Sequence, residues 1–156
     1  MFNTSTINTG RPALGLTILR VVSGIIFLMH GAQKFFEYSI PGTIGAFSQM
    51  GVPLANVAAP LVATVELVGG LALILGILTR PAALLLAINM LAALFLVHLP
   101  AGFFLPNGYE FVLALAAAAI ALVLTGPGAF ALDNVLAKRN TAAQRQTETS
   151  YQTPRG

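Results

Sequence analysis

A small set of ionisable side chains stands in, or at the ends of, otherwise apolar stretches: Arg20, His30, Lys34, Glu66, His98 and Glu110. Their types suggest what they could do. Imidazole and ammonium groups donate hydrogen bonds to carbonyl oxygens. Carboxylates such as Glu66 or Glu110 can pass the protons that accompany quinone reduction. His30 and Lys34 are four residues apart and share a helix face. Each residue also has a plainer role. Lys34 can snorkel to the membrane interface, Glu110 suits the start of a helix, and a histidine can sit hydrogen-bonded at an interface. Together, His30, Lys34, Glu66, His98 and Glu110 form a candidate site for a polar head group such as a quinone ring.

A charge near the centre of a bilayer costs at least about 2.5 kcal/mol, so each one calls for a partner. Arg20 lies about two turns into the first apolar span and Glu66 about three turns into the second, entering from opposite ends. Antiparallel neighbours predict a buried Arg20–Glu66 pair. That pair either locks the packing or leaves Glu66 an acceptor for a ligand or proton. His30 and His98 could also act as axial haem ligands, but histidine alone is an unspecific signal and haem is disfavoured. The chain has no cysteine, which excludes disulfides, thiolate chemistry and iron–sulfur ligation. No metal site is expected.

These groups must be positioned by membrane helices. Hydrophobic residues make up 56% of the 156 residues and charged ones 8%, against about 25% charged in soluble domains. The sequence predicts an all-α integral membrane four-helix bundle, with helices over about 13–36, 53–78, 81–99 and 109–125. An interfacial amphipathic helix is expected over about 40–50, from the spacing of Ile40, Ile44, Phe47 and Met50. The membrane domain is bounded at 13–136, preceded by a cytoplasmic segment, 1–12, and followed by a disordered polar tail, 137–156. Leu78-Thr79-Arg80-Pro81 reads as a tight hairpin capped by Thr79. Asn89 reads as an interhelical hydrogen bond. Arg11, Arg80, Lys138, Arg139, Arg145 and Arg155 fall on one side and Lys34 on the other, which places both termini in the cytoplasm. Phe27-Leu28-Met29-His30 is echoed by Phe95-Leu96-Val97-His98, a faint internal repeat. The lipid bilayer is the expected surroundings. No basic face suited to nucleic acid is present.

In order, Leu19-Arg20, Met29-His30-Gly31 with Lys34-Phe35, Glu66 with Gly69-Gly70 and Gly76, Thr79-Arg80, His98, Gly102-Phe103-Phe104, Gly108-Tyr109-Glu110 and Gly126-Pro127-Gly128 with Leu132-Asp133 resemble the DoxX family over about residues 13–136. The resemblance implies a multi-pass protein of the bacterial inner membrane. It also implies a membrane subunit linked to quinone redox chemistry or oxidative stress, although direct catalysis by the isolated chain does not follow. The alternatives are a non-catalytic anchor or scaffold for a soluble oxidoreductase, and a small-solute or proton-coupled transporter. Partner oxidoreductases and self-association stay open.

Overall fold

The computed structural model describes residues 10–139, 141 and 144. All regular structure among them is helical. Helix α1 runs Arg11–Ala32 and continues through a π-helical turn, Gln33–Glu37. The short α2 is Ser39–Gln49, and α3 is Ala55–Leu75. Helix α4, Thr79–Ala93, continues as a π turn, Leu94–His98, and a 3-10 turn, Leu99–Ala101. Helix α5 is Glu110–Thr125, and residues 132–139 form a final helix, α6.

Arg11–Glu37, Ala55–Leu75 and Thr79–Ala101 are long and apolar enough to cross a membrane. Helix α5 is equally apolar but has 16 residues. Between 28% and 33% of the most apolar 18-residue stretch of each long span is buried inside the protein. Exposed apolar side chains such as Ile18, Val57, Leu61, Val68, Leu85 and Phe95 line the outside of all three spans, as suits hydrocarbon surroundings where the backbone must bond within its own segment.

Helix α1 packs on α3, α3 on α4 and α4 on α5, while α5 touches α1 and closes the ring; α2 leans on α3. The core runs through Phe27, Leu73, Leu86, Met90, Leu115 and Leu122. Where α1 and α3 cross, a Cβ on Gly31 would strike the backbone of Glu66 and Leu67. Hydrocarbon gives helices no hydrophobic reason to associate, so close backbone approach through small residues supplies the attraction.

At one end the start of α1, the α3–α4 hairpin and the segment 126–134 are stitched together. The Ala129 N–H donates to Ala13 O (3.1 Å), and the Asp133 N–H to Gly76 O (2.9 Å). Gly76 ends α3 with a φ of +66°, a conformation that glycine adopts without steric cost. Thr79 does not cap α4 with its own side chain. Asp133 does so instead, accepting from Leu78 N (2.8 Å) and Thr79 N (2.9 Å). A residue distant in sequence supplies the oxygen that local capping normally provides.

Arg11 and Pro12, placed in the predicted N-terminal segment, belong to α1. The tail predicted to be disordered from 137 is helical through 139. Residues 1–9, 140, 142, 143 and 145–156, including Arg145 and Arg155, lie outside the described residues. The repeated histidines differ in setting: His30 lies in regular α-helix and His98 in a π turn.

Candidate functional site

At the end of the ring opposite the stitched segment, the helices enclose a cavity of about 380 Å³, within the ~300–1,000 Å³ range usual for small-molecule sites. Its walls are mainly apolar: Phe27, Phe47, Val62, Met90, Leu96, Phe111 and Leu115 are among them. His30, Lys34, Glu66, Asn89 and His98 are its polar members. Four of the five ligand candidates predicted from sequence therefore line one space.

Glu66 is the hub. It is 4% exposed, and both its oxygens are engaged. The Lys34 ammonium donates to Oε2 at 2.5 Å, and the Asn89 amide donates to Oε1 at 3.1 Å. Helices α1, α3 and α4 are thus joined by one carboxylate. Lys34 sits on the π turn of α1, and π turns recur at functional sites. The hydroxyl of buried Thr43 donates to Lys34 O (3.1 Å) and Ser39 O (2.9 Å), tying α2 to that turn. An ammonium has three donors. Among the described residues Lys34 uses one on Glu66 and directs a long contact, 3.5 Å, to His30 O. It keeps donor capacity for something in the cavity.

The predicted Arg20–Glu66 pair does not form. Arg20 is 1% exposed, but its guanidinium meets carbonyls at the far end of α3. It donates to Leu73 O, to Ile74 O (3.0 Å), to Pro127 O (2.9 Å) and to Phe130 O (3.2 Å). The reason is register. Gly31 of α1 crosses α3 at Glu66 and Leu67, so Arg20, eleven residues earlier in the chain, lies about 16 Å away along the helix. Glu66 meets the cation within reach, Lys34.

Glu110 does not line the cavity. Its carboxylate accepts from Leu105 N at 2.8 Å, a loop-closing bond at the start of α5. His98 has a foot in both roles. It lines the cavity, and its Nδ1 bonds Asn107 O at 2.9 Å. The acceptor is a carbonyl, so Nδ1 carries the hydrogen. Glu110 and His98 together hold the loop between α4 and α5, whose Leu105, Pro106 and Gly108 roof the cavity. His30 is an exposed wall residue whose ring packs against Phe111, centroids 6.3 Å apart.

Asn89 is the functional candidate that sequence reading underrated. Its interhelical bond was foreseen but not its partner, because only the glycine register reveals that Asn89 and Lys34 meet at one carboxylate.

A family model described as DoxX matches residues 15–99. This chain belongs to the DoxX family. Among similar DoxX-type proteins is "Putative oxidoreductase CatD" of Bacillus subtilis, 37% identical over 120 residues, which cover 77% of this chain and 85% of that protein. A Mycobacterium tuberculosis relative, "Uncharacterized membrane protein Rv3486", is 37% identical over 135 residues, with 80% and 82% covered. "Inner membrane protein YqjF" of Escherichia coli is 33% identical over 132 residues, with 81% and 95% covered. No solved structure matches the chain. With its apolar helices, this DoxX protein is a multi-pass protein of the bacterial inner membrane.

Proposed function

We propose that this DoxX protein is a four-helix membrane subunit that binds a quinone head group in the cavity beside Glu66 and takes part in its redox turnover. One observation carries the reading: the Lys34–Glu66–Asn89 network beside an otherwise apolar cavity. A quinone ring is flat and apolar on its faces and has two carbonyl oxygens at its edge. It calls for apolar walls with a few well-placed donors. Lys34 would donate to one carbonyl oxygen, and His30 is the candidate donor to the other. Glu66 orients Lys34 and can hold a proton next to the ring. A bound quinone supplies two-electron, two-proton chemistry. With no cysteine the chain has no thiolate ligand for an iron–sulfur cluster, so we assign the electron donor to a partner oxidoreductase. The name of CatD agrees with such a setting.

The same reading makes α5 the fourth crossing. Its 16 residues span about 24 Å at ~1.5 Å per residue, several ångströms short of a ~30 Å core, a mismatch that bilayers absorb by local thinning. Arg11, Arg80, Lys138 and Arg139 belong to the stitched end, which we place in the cytoplasm with both termini.

The test is to purify the protein in native lipid discs and extract it for mass spectrometry. Wild type is expected to carry quinone well above the level of empty discs, and Glu66→Gln to lose most of it. Equal, background-level quinone in both would overturn the proposal and leave a non-catalytic anchor as the better account.

A further inference from the structure

We infer that the cavity is fed sideways from the lipid, through the seam between the outer halves of α3 and α4, and that its ligand carries a long hydrophobic tail lying in that seam. The inference rests on the quinone reading and names the class: a lipid-borne, tailed quinone rather than a small water-soluble one.

The seam follows from how α3 and α4 diverge. Near their hairpin they are in tight contact, since a Cβ on Gly69 would meet the Leu86 side chain at 3.1 Å. One turn further along each helix, Asn89 still bonds Glu66. Continuing outward, the facing positions are Val62 and Ala58 on α3, and Ala93 and Val97 on α4. These line the cavity instead of closing against one another. Phe47 and Met50 of the α2 region also line the cavity. Ala92 and Leu96, also on the cavity wall, are exposed, Leu96 at 50%. In a bilayer such apolar, outward-facing residues meet acyl chains. The rim on this side is therefore continuous with hydrocarbon.

On the other sides, contacts bridge the rim. The roof is held by Glu110, which accepts from Leu105 N, and by His98 Nδ1–H, which donates to Asn107 O. Between α1 and α5, the His30 ring packs on Phe111. A cavity of about 380 Å³ holds a substituted ring but not a polyisoprenoid chain. The tail needs an exit with walls as apolar as itself, since polar backbone is not tolerated facing lipid, and the seam provides one. Alanine at positions 58 and 92 leaves width there for a chain.

The experiment compares two probes in lipid discs: a decyl-tailed benzoquinone and the same ring without its tail. They are tested on wild type, Ala58→Trp and Ala92→Trp. A bulky indole discriminates by clashing with one ligand and sparing the other. The tryptophan variants are expected to weaken binding of the tailed probe at least about tenfold more than they weaken binding of the tail-less ring. Retained ring binding shows that the variants are folded. A tailed probe with a photoreactive diazirine at its tail end should label peptides from residues 54–62 and 91–97. If both probes bind wild type but the tryptophan variants treat them alike, or if label falls in residues 99–111, lateral entry is wrong while the quinone reading stands. If neither probe binds wild type, the quinone reading itself fails.

Discussion

Two cations lie on one continuous helix, Arg20 buried and Lys34 partly buried, and the protein treats them differently. Arg20 is fully enclosed, and its guanidinium donates to carbonyls of Leu73, Ile74, Pro127 and Phe130. It does not line the cavity beside Glu66. Lys34 is paired with Glu66 through one donor and borders a cavity. Guanidinium geometry suits the first task, because its fixed fork of donors can bind several carbonyls at once. A compact ammonium on a flexible stem suits the second. The comparison teaches that burial of a charge does not itself mark a functional site. What marks one is unspent hydrogen-bonding capacity beside empty space.

The comparison can be broken by mutation, and the largest effect is expected at Arg20. Arg20→Met strips hydrogen bonds from several buried carbonyls at once and unstitches the segment 126–134. Unpaired buried polar groups cost ~1–3 kcal/mol each, so a loss of roughly 3 kcal/mol or more is expected. Thermal unfolding in detergent should fall steeply, and proteolysis should begin near residues 126–134. A variant as stable as wild type would remove the lock from the account.

Glu66→Leu comes next, because it leaves Lys34 and Asn89 without their acceptor. It should lower stability by about 1–3 kcal/mol and abolish quinone retention. Glu66→Gln keeps an acceptor and sharpens the contrast. Its stability should stay within about 1 kcal/mol of wild type, while ligand binding drops about tenfold or more, equivalent to ~1.4 kcal/mol. Equilibrium binding and thermal melts on the same preparation separate the two effects.

Asp133→Ala tests whether the stitched end depends on its distant cap. Loss of an N-cap oxygen costs ~0.5–2 kcal/mol, and quinone affinity should not change. The smallest effect is expected at the roof. Glu110→Gln retains an oxygen for Leu105 N, so stability should change by less than about 0.5 kcal/mol. A faster ligand off-rate in stopped flow would be its signature.

The fold was largely legible in the sequence because lipid leaves few choices. Long apolar runs must become helices, and the turn at Leu78–Pro81 and the helix in the 40–50 region followed from their local signals, although the turn's cap comes from Asp133 and not Thr79. His30, Lys34, His98 and Glu110 stand at the same ends of their spans, and three of these four line the cavity, whereas Glu110 does not and Glu66 joins them from the middle of α3. The identity of the ion pair was not legible. Counting turns fixes a residue's depth only once the offset between neighbouring helices is known. That offset is set by where Gly31 lets α1 settle against Glu66 and Leu67. Gly24, Gly31 and Gly70 together carried that signal, but a glycine stripe reads as general packing until its partner surface is seen. Asp133 as a cap for α4 was hidden for a related reason. A capping box is recognised within a few residues, and this one is closed by chain folding back from beyond α5.

The central claim is that Arg20 serves the architecture and Lys34 serves a ligand. The most direct measurement is the thermal stability of wild type, Lys34→Met and an Arg20→Lys variant, each with and without excess tailed quinone in lipid discs. A ligand that binds only the folded state raises the melting temperature. The account predicts a clear quinone-dependent rise for wild type, a similar rise from a lower baseline for Arg20→Lys, and none for Lys34→Met. A Lys34→Met protein that gains as much from quinone as wild type would contradict it.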